Sequence, residues 1–140
     1  MEKELLNSDK ELLLKDLCAR LPYGVKCQIK GEEDFEPLKL KSFIQGKGFC
    51  AFDFYIKENS SLTFKELDEF KPYLFPLSSM TEEQEIEYDA TFETIVYEDG
   101  RKDSVMTYKS FDWLNKNHFD YRCLIEKSLA LDATNLGIHE

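Results

Sequence analysis

The side chains best suited to chemistry in this 140-residue chain are gathered in one stretch, Ser110–Ile125. His118 and Cys123 lie five residues apart there, and a cysteine thiol with a histidine base is an established nucleophilic device. A small hydrolase using these two residues is therefore one alternative. The partners of such a nucleophile usually come from distant parts of a chain, so closeness in sequence does not itself indicate catalysis.

A metal site would need histidine, cysteine or carboxylate ligands that converge. The one conceivable set combines His118 with Asp112 and Asp120. We expect His118 instead to end a helix, where partial positive charge suits the negative end of the helix dipole. Gly46-Lys-Gly48 lacks the spacing of a phosphate-binding loop and is expected to be a hairpin turn. The sequence thus predicts no metal, no cofactor and no catalytic residue.

The charge of the chain is strongly negative. The net charge is −10, and residues 81–99 hold eight acids and no base. Binding to phosphate backbones needs clustered lysine and arginine, so we expect no direct binding to nucleic acid or to anionic membranes. The acidic run is expected to be a solvated surface. An alternative is that its carboxylates imitate a nucleic-acid backbone and inhibit a DNA- or RNA-binding protein.

The location is predicted from what the sequence lacks. The N-terminus has no apolar leader with a cleavage site, and no apolar run approaches the length of a membrane span. We therefore expect a soluble, cytoplasmic protein. None of the cysteines forms a Cys-x-x-Cys pair, so a zinc ribbon or a thioredoxin-like site has no support. The expected cytosolic location and a chain large enough for a core favour reduced, buried thiols over disulfides. The four cysteines are Cys18, Cys27, Cys50 and Cys123.

The N-terminal elements are predicted from capping and periodicity. Ser8 and Glu11 have capping-box spacing, and leucines then recur every three or four residues, which predicts a helix over Ser8–Leu21. Three alternating runs follow, at 25–30, 38–44 and 49–57, and predict an antiparallel meander with one face covered by that helix. The wet side of the helix is expected to carry Lys10, Lys15, Asp16 and Arg20.

The middle of the chain carries two more capping boxes. Thr63–Glu66 predicts a short helix that ends before Pro72, and Thr81–Gln84 predicts a helix over 82–89. Pro72 and Pro76 bracket an apolar segment that we interpret as a rigid loop, either buried or bound.

The last elements are a hairpin and a helix. Residues 91–98 and 103–108 are strand-like, and Asp99-Gly100 is typical of a two-residue hairpin turn. One continuous helix over 82–97 is the competing interpretation. Ser110 is expected to cap a final helix through Asn117.

Together these elements predict a single α+β domain over residues 1–140. Its antiparallel sheet should have three to five strands, covered by two or more short helices. The ends, residues 1–7 and 134–140, are expected to fray.

Three blocks of this sequence carry a resemblance: Glu11–Gln28, Lys71–Gln84 and Ser110–Ile125. In order and spacing they resemble signature blocks of a group of small uncharacterised proteins from gut bacteria of the Bacteroides type, their prophages and mobile elements. The resemblance implies a bacterial or phage origin and a cytosolic location, and it brings no activity. Cys123 departs from the pattern, because relatives are expected to carry glycine there.

The leading hypothesis is a non-enzymatic accessory or protein-binding domain. Two aromatic blocks, Tyr73–Leu77 and Trp113–Arg122, could form a partner-binding patch, since Tyr, Trp and Arg dominate interface hot spots. The same aromatics could instead form the seam between sheet and helices. The candidate binding residues for an unidentified protein partner are Tyr73, Phe75, Asn117, His118, Asp120, Tyr121 and Arg122.

Overall fold

The structure is a computed structural model that describes residues 7–32, 36–47, 49–55 and 64–139. The predicted α+β class is confirmed. In chain order the elements are α1 (Asn7–Arg20), β1 (Lys26–Ile29), β2 (Leu38–Gly46), β3 (Phe49–Phe54), β4 (Phe70–Pro76), α2 (Glu82–Asp89), β5 (Glu93–Val96), β6 (Lys102–Val105), α3 (Tyr108–Lys116), β7 (Phe119–Asp120) and β8 (Leu131–Asp132). Short 3₁₀ turns at Leu21–Tyr23 and Leu77–Ser79 follow α1 and β4.

The main sheet has six strands in the order β3-β2-β1-β4-β7, with β8 also pairing with β4. The predicted meander of β1, β2 and β3 is confirmed, since both of its pairings are antiparallel. The prediction of a purely antiparallel sheet is wrong, because β7 and β8 both run parallel to β4. Two-residue strands of this kind have too few alternating residues to be recognised in a sequence.

Helix α1 covers the sheet as predicted. Leu13 and Leu17 are buried in one cluster with residues of β1, β3 and β4, and the rings of Phe52 and Phe54 meet Phe70 edge-on with centroids 5.4 and 5.0 Å apart. Burying each such side chain stabilises the fold by roughly 2–3 kcal/mol. Ser8 lies inside α1, so it is not the residue that caps the helix.

The proline-bracketed segment is a strand rather than a loop. β4 is an interior strand of the sheet, paired on both sides, and its Pro72 lies opposite Cys27 of β1. On the other side, Leu74 O accepts from Ala133 N at 2.8 Å and Phe75 N donates to His118 O at 2.8 Å. The prolines concealed the strand, because proline is normally confined to sheet edges.

The helix predicted at Thr63–Glu66 is absent from its described part. Lys65 instead forms an isolated bridge with Phe52 of β3, and a turn follows. Four predictions fall on residues outside the described ranges. They are the expected fraying of residues 1–6, the place of Gly48 in the hairpin turn, the end of the third strand at Lys57, and the helix cap at Thr63.

The elements between β4 and β7 largely follow the predictions. Thr81 Oγ1 accepts from Gln84 N and Gln84 Oε1 accepts from Thr81 N, which completes the predicted capping box of α2. The hairpin of β5 and β6 is confirmed, and the continuous helix over 82–97 is excluded. The hairpin loop has three residues instead of two: Tyr97 N donates to Arg101 O at 2.9 Å, and Gly100 takes a φ of +88°.

Helix α3 begins before Ser110. Thr107 is its N-cap, with its hydroxyl accepting from Lys109 N, and Ser110 Oγ accepts from Thr107 N. Ser110 is therefore the third residue of the helix and not its cap. Within the described ranges, no helix is long and apolar enough to cross a lipid bilayer.

Candidate interaction surface

The stretch Ser110–Ile125 is tied to α1 through a buried charge cluster. Asp16 and Arg20 are both fully buried on α1, and Arg20 Nε donates to Asp16 Oδ2 at 2.8 Å. Arg122 Nη1 donates to Asp16 Oδ1 at 2.7 Å, and Arg20 Nη2 donates to Phe119 O at 2.6 Å. We call Asp16, Arg20 and Arg122 the Asp16 cluster.

The Asp16 cluster contradicts the expectation that Asp16 and Arg20 face water. An acid and a base four residues apart normally form an exposed helix pair, and their spacing gives no sign of a partner at residue 122. Tyr121 completes the packing, with its ring centroid 4.5 Å from the Arg122 guanidinium and 5.5 Å from that of Arg20. Its hydroxyl donates to Asn115 Oδ1 at 3.0 Å.

Asp120 organises the turn that follows β7. Its buried carboxylate accepts from the backbone N–H groups of Leu124 at 3.0 Å and Ile125 at 2.9 Å. Within this turn Cys123 has a φ of +59°, a left-handed conformation that favours glycine. This conformation gives a physical reason for glycine at that position. Asp120 is therefore buried and bonded to the backbone, whereas the sequence predicts an exposed binding residue at this position.

His118 lies at the corner between α3 and β7, with a φ of +62°. Its ring is buried and stacks on His139, with centroids 3.9 Å apart. Burial lowers the pKa of His118 to about 3, with the charges of His139 and Arg20 acting in the same direction. The neutral ring therefore does not supply the positive charge expected at the helix end.

His139 fastens the C-terminal segment to the sheet. One ring nitrogen, Nε2, lies 2.8 Å from Tyr73 O, and its ring meets Phe75 with centroids 5.8 Å apart. Ala133 is buried and bonds to β4. Ala133 and His139 therefore hold the two ends of residues 133–139 on β4, whereas the sequence predicts that residues 134–140 fray.

The remaining predicted binding residues also have structural partners. Tyr73 donates its hydroxyl to Gln28 Oε1 at 3.1 Å, and Phe75 packs on Phe119 with centroids 5.9 Å apart. Asn117 ends α3 and donates from Nδ2 to Trp113 O at 2.9 Å. The two aromatic blocks thus meet within the fold, as the core-seam alternative expects, and they do not form an exposed patch.

The geometry gives no support to the Cys/His pair or to the His118 metal set. No hydrogen bond joins His118 to Cys123 in the described part of the chain, and His118 Nδ1 has no hydrogen-bond partner there. Asp112 accepts from the Tyr23 hydroxyl instead of converging on His118. Among the described residues, three carboxylates do approach within 4.8 Å before β4, but they are largely exposed surface acids: Glu66, Asp68 and Glu69.

A different part of the chain remains open to solvent. Not one side chain from Leu77 to Lys109 is buried, although these 33 residues form α2, β5 and β6. We call residues 77–109 the outer lobe. Most of the side chains of the outer lobe are therefore open to solvent.

The outer lobe is anchored through Trp113. The ring of Tyr88 on α2 lies on Trp113 with centroids 5.5 Å apart, and Trp113 stacks on Phe119 of β7 at 5.5 Å and 7°. Thr91 Oγ1 donates to Ser110 Oγ at 2.8 Å beside this stack. Trp113, the only tryptophan of the chain, therefore packs between the outer lobe and the sheet.

The outer lobe combines exposed apolar side chains with acids. It holds seven of the twelve exposed large hydrophobic side chains in the described residues, including Tyr108 at 77%, Ile86 at 70% and Val96 at 62%. Nine acids and three bases give the lobe a net charge of −6. On α2, Ile86 has acids at the helical neighbour positions 82, 83 and 89. The acidic run at 81–99 predicts a charged surface here, but no pattern in the sequence predicts the exposed apolar side chains among the acids.

Comparison with known proteins adds no relative: the chain matches no protein-family model, no curated protein and no solved structure.

Proposed function

We propose that this chain is a non-enzymatic protein-binding module whose contact surface is the outer lobe and whose partner is positively charged. The observation that carries the proposal is the 33-residue run without one buried side chain, which nevertheless has defined helix and strand structure. Exposed apolar patches rimmed by polar residues mark protein interaction sites.

The chemistry of the lobe favours a basic partner over a neutral one. Its net charge of −6 is more than half of the −10 of the whole chain. Complementary charge accelerates association and disfavours wrong partners, while apolar side chains at the centre of an interface supply most of the affinity. We place this module in the cytoplasm of a bacterium or of a phage-infected cell, in line with the resemblance of its three blocks.

The test is affinity purification from native cells, followed by titration of the recovered protein in purified form. A triple variant, Ile86→Ser, Val96→Ser and Tyr108→Ser, should lose the partner, because exposed side chains can be changed without disturbing the core. The matched control changes exposed side chains elsewhere, Tyr55→Ser and Leu136→Ser, and should retain it. Equal affinity of the triple variant and the wild type would overturn the proposal.

A second candidate is an inhibitor that imitates a nucleic-acid backbone. The observation that favours it is that four acids of α2, Glu82, Glu83, Glu85 and Glu87, are all exposed. Binding would then compete with duplex DNA or RNA and weaken steeply with salt. Changing these four acids to lysine should abolish inhibition, whereas the triple apolar variant should keep it; the opposite pattern supports the first proposal.

A further inference from the structure

The hairpin of the outer lobe has two unpaired edges. β5 and β6 form a two-stranded sheet of their own, and in the described residues neither pairs with the main sheet. An open strand edge is a template for another extended chain, and natural proteins usually protect such edges with lysine, proline or a bulge. Here β6 begins with Lys102, while β5 reads Glu-Thr-Ile-Val and contains no lysine, proline or bulge; its one charge, Glu93, is negative and would attract a basic segment.

The register identifies which backbone groups of β5 are available. Tyr97 N donates to Arg101 O at 2.9 Å, so this pair faces inward. In an antiparallel ladder the hydrogen-bonded pairs alternate with pairs whose N–H and C=O groups point outward. Val96 opposite Lys102 and Thr94 opposite Ser104 are therefore the outward pairs. The backbone groups of Thr94 and Val96 lie on the open edge of β5 and have no partner among the described residues.

The two edges of the hairpin differ in the charges beside them. Glu93 begins β5 and Glu98 lies two residues after its end, whereas Arg101 precedes β6 and Lys102 begins it. The side chains of Ile95 and Val96, 42% and 62% exposed, lie on opposite faces of β5. An added strand would thus find apolar surface on both faces between acidic ends.

We propose that the open edge of β5 binds an extended, basic segment of a partner protein by strand addition. This inference rests on the proposed function and specifies its geometry. Backbone hydrogen bonds to Thr94 and Val96 would supply affinity, and β-branched residues flanked by Lys or Arg at both ends would supply specificity. A second copy of this chain is the wrong occupant, because antiparallel pairing of two β5 edges would bring Glu93 and Glu98 of both copies together.

The probe is a synthetic ten-residue peptide with valines at its centre and lysines at both ends, titrated into the full chain by calorimetry. Val96→Pro removes one outward N–H without removing a hydrogen bond of the hairpin. The variant should lower the affinity for the peptide about five- to tenfold, which corresponds to the loss of one backbone hydrogen bond. Lys102→Pro is the matched control, since it removes the outward N–H at the paired position on the other edge, and it should leave the affinity unchanged.

Amide hydrogen exchange reports the geometry directly. Peptide binding should protect the Thr94 and Val96 amides and leave those of Lys102 and Ser104 unprotected. Failure of the peptide to bind, equal weakening by both proline variants, or protection confined to α2 would each overturn strand addition. So would a dimer in sedimentation that Val96→Pro dissolves. The proposed function survives any of these results if the triple apolar variant still loses the native partner.

Discussion

Removing the carboxylate of the Asp16 cluster should be among the most damaging single changes in this protein. Asp16→Asn keeps the size of the side chain but removes the negative charge that neutralises Arg20, which is fully buried and also donates to Phe119 O. Arg20 Nη1 already has no hydrogen-bond partner in the described residues. The second guanidinium, Arg122, then faces Arg20 without an anion between them.

The magnitude follows from the cost of an unpaired buried charge. Breaking a buried ion pair by removing one partner costs about 3–5 kcal/mol, out of a total stability of about 5–15 kcal/mol for a typical domain. For a chain of 140 residues this loss corresponds to a fall in Tm of about 10–15 °C. Arg122→Met should cost less, about 1–2 kcal/mol, because the Asp16–Arg20 pair remains and Arg122 is partly exposed.

The assay is urea denaturation followed by circular dichroism, with Glu11→Gln as the matched control. Glu11 lies on the same helix and is exposed, so the same carboxylate-to-amide change there should stay within about 0.5 kcal/mol. The double variant Asp16→Asn with Arg122→Met should cost less than the sum of the single changes, since it removes the repulsion between guanidinium groups. A loss for Asp16→Asn no larger than that of Glu11→Gln would refute the reasoning.

Three further predictions concern the other residues of the Ser110–Ile125 stretch. Cys123→Gly should raise the free energy of unfolding by about 1 kcal/mol by relieving the φ of +59°, whereas Cys123→Ala should give no gain; equal stability of both variants would contradict this account. Because burial lowers the pKa of His118 to about 3, the unfolded chain takes up a proton below about pH 6.5 that the folded chain does not. Stability is thus lost as pH falls from 6.5 toward 3, and denaturation at pH 7 and pH 5 should show about 2 kcal/mol less loss in His118→Asn than in the wild type. Trp113→Ala should speed amide exchange throughout the outer lobe while β1 and β2 stay protected, and uniform acceleration would show that the tryptophan is not a local anchor.

The predictable part of the fold is the part with local signals. The meander follows from strict alternation, α2 from the Thr81–Gln84 capping box, and the hairpin from Asp99-Gly100. Each of these depends on hydrogen bonds or side-chain periods within a few residues. The errors come where distant partners override a local pattern, as at Pro72 and Pro76, which lie in the interior strand β4.

The sequence predicts the negative charge of the candidate surface but not its exposed apolar side chains. The acidic run at 81–99 correctly indicated an exposed charged surface, because eight acids without a base cannot be buried together. The candidate binding residues are suited to binding by their chemical types, but most of them make hydrogen bonds or ring contacts inside the fold. Asp120 bonds to backbone N–H groups and Arg122 bonds to Asp16, which the types alone do not reveal.

The sequence by itself determined the fold class, the meander, the capped helix α2 and the strongly acidic lobe, since propensity, alternation and charge are properties of neighbouring residues. Only the tertiary structure decided that Asp16 and Arg122, 106 residues apart, share a partly buried ion pair. It alone also placed β7 and β8 parallel to β4 and left β5 with an open edge. Burial and strand pairing depend on contacts between residues far apart in the chain, and the periodicity of neighbouring residues does not specify those contacts.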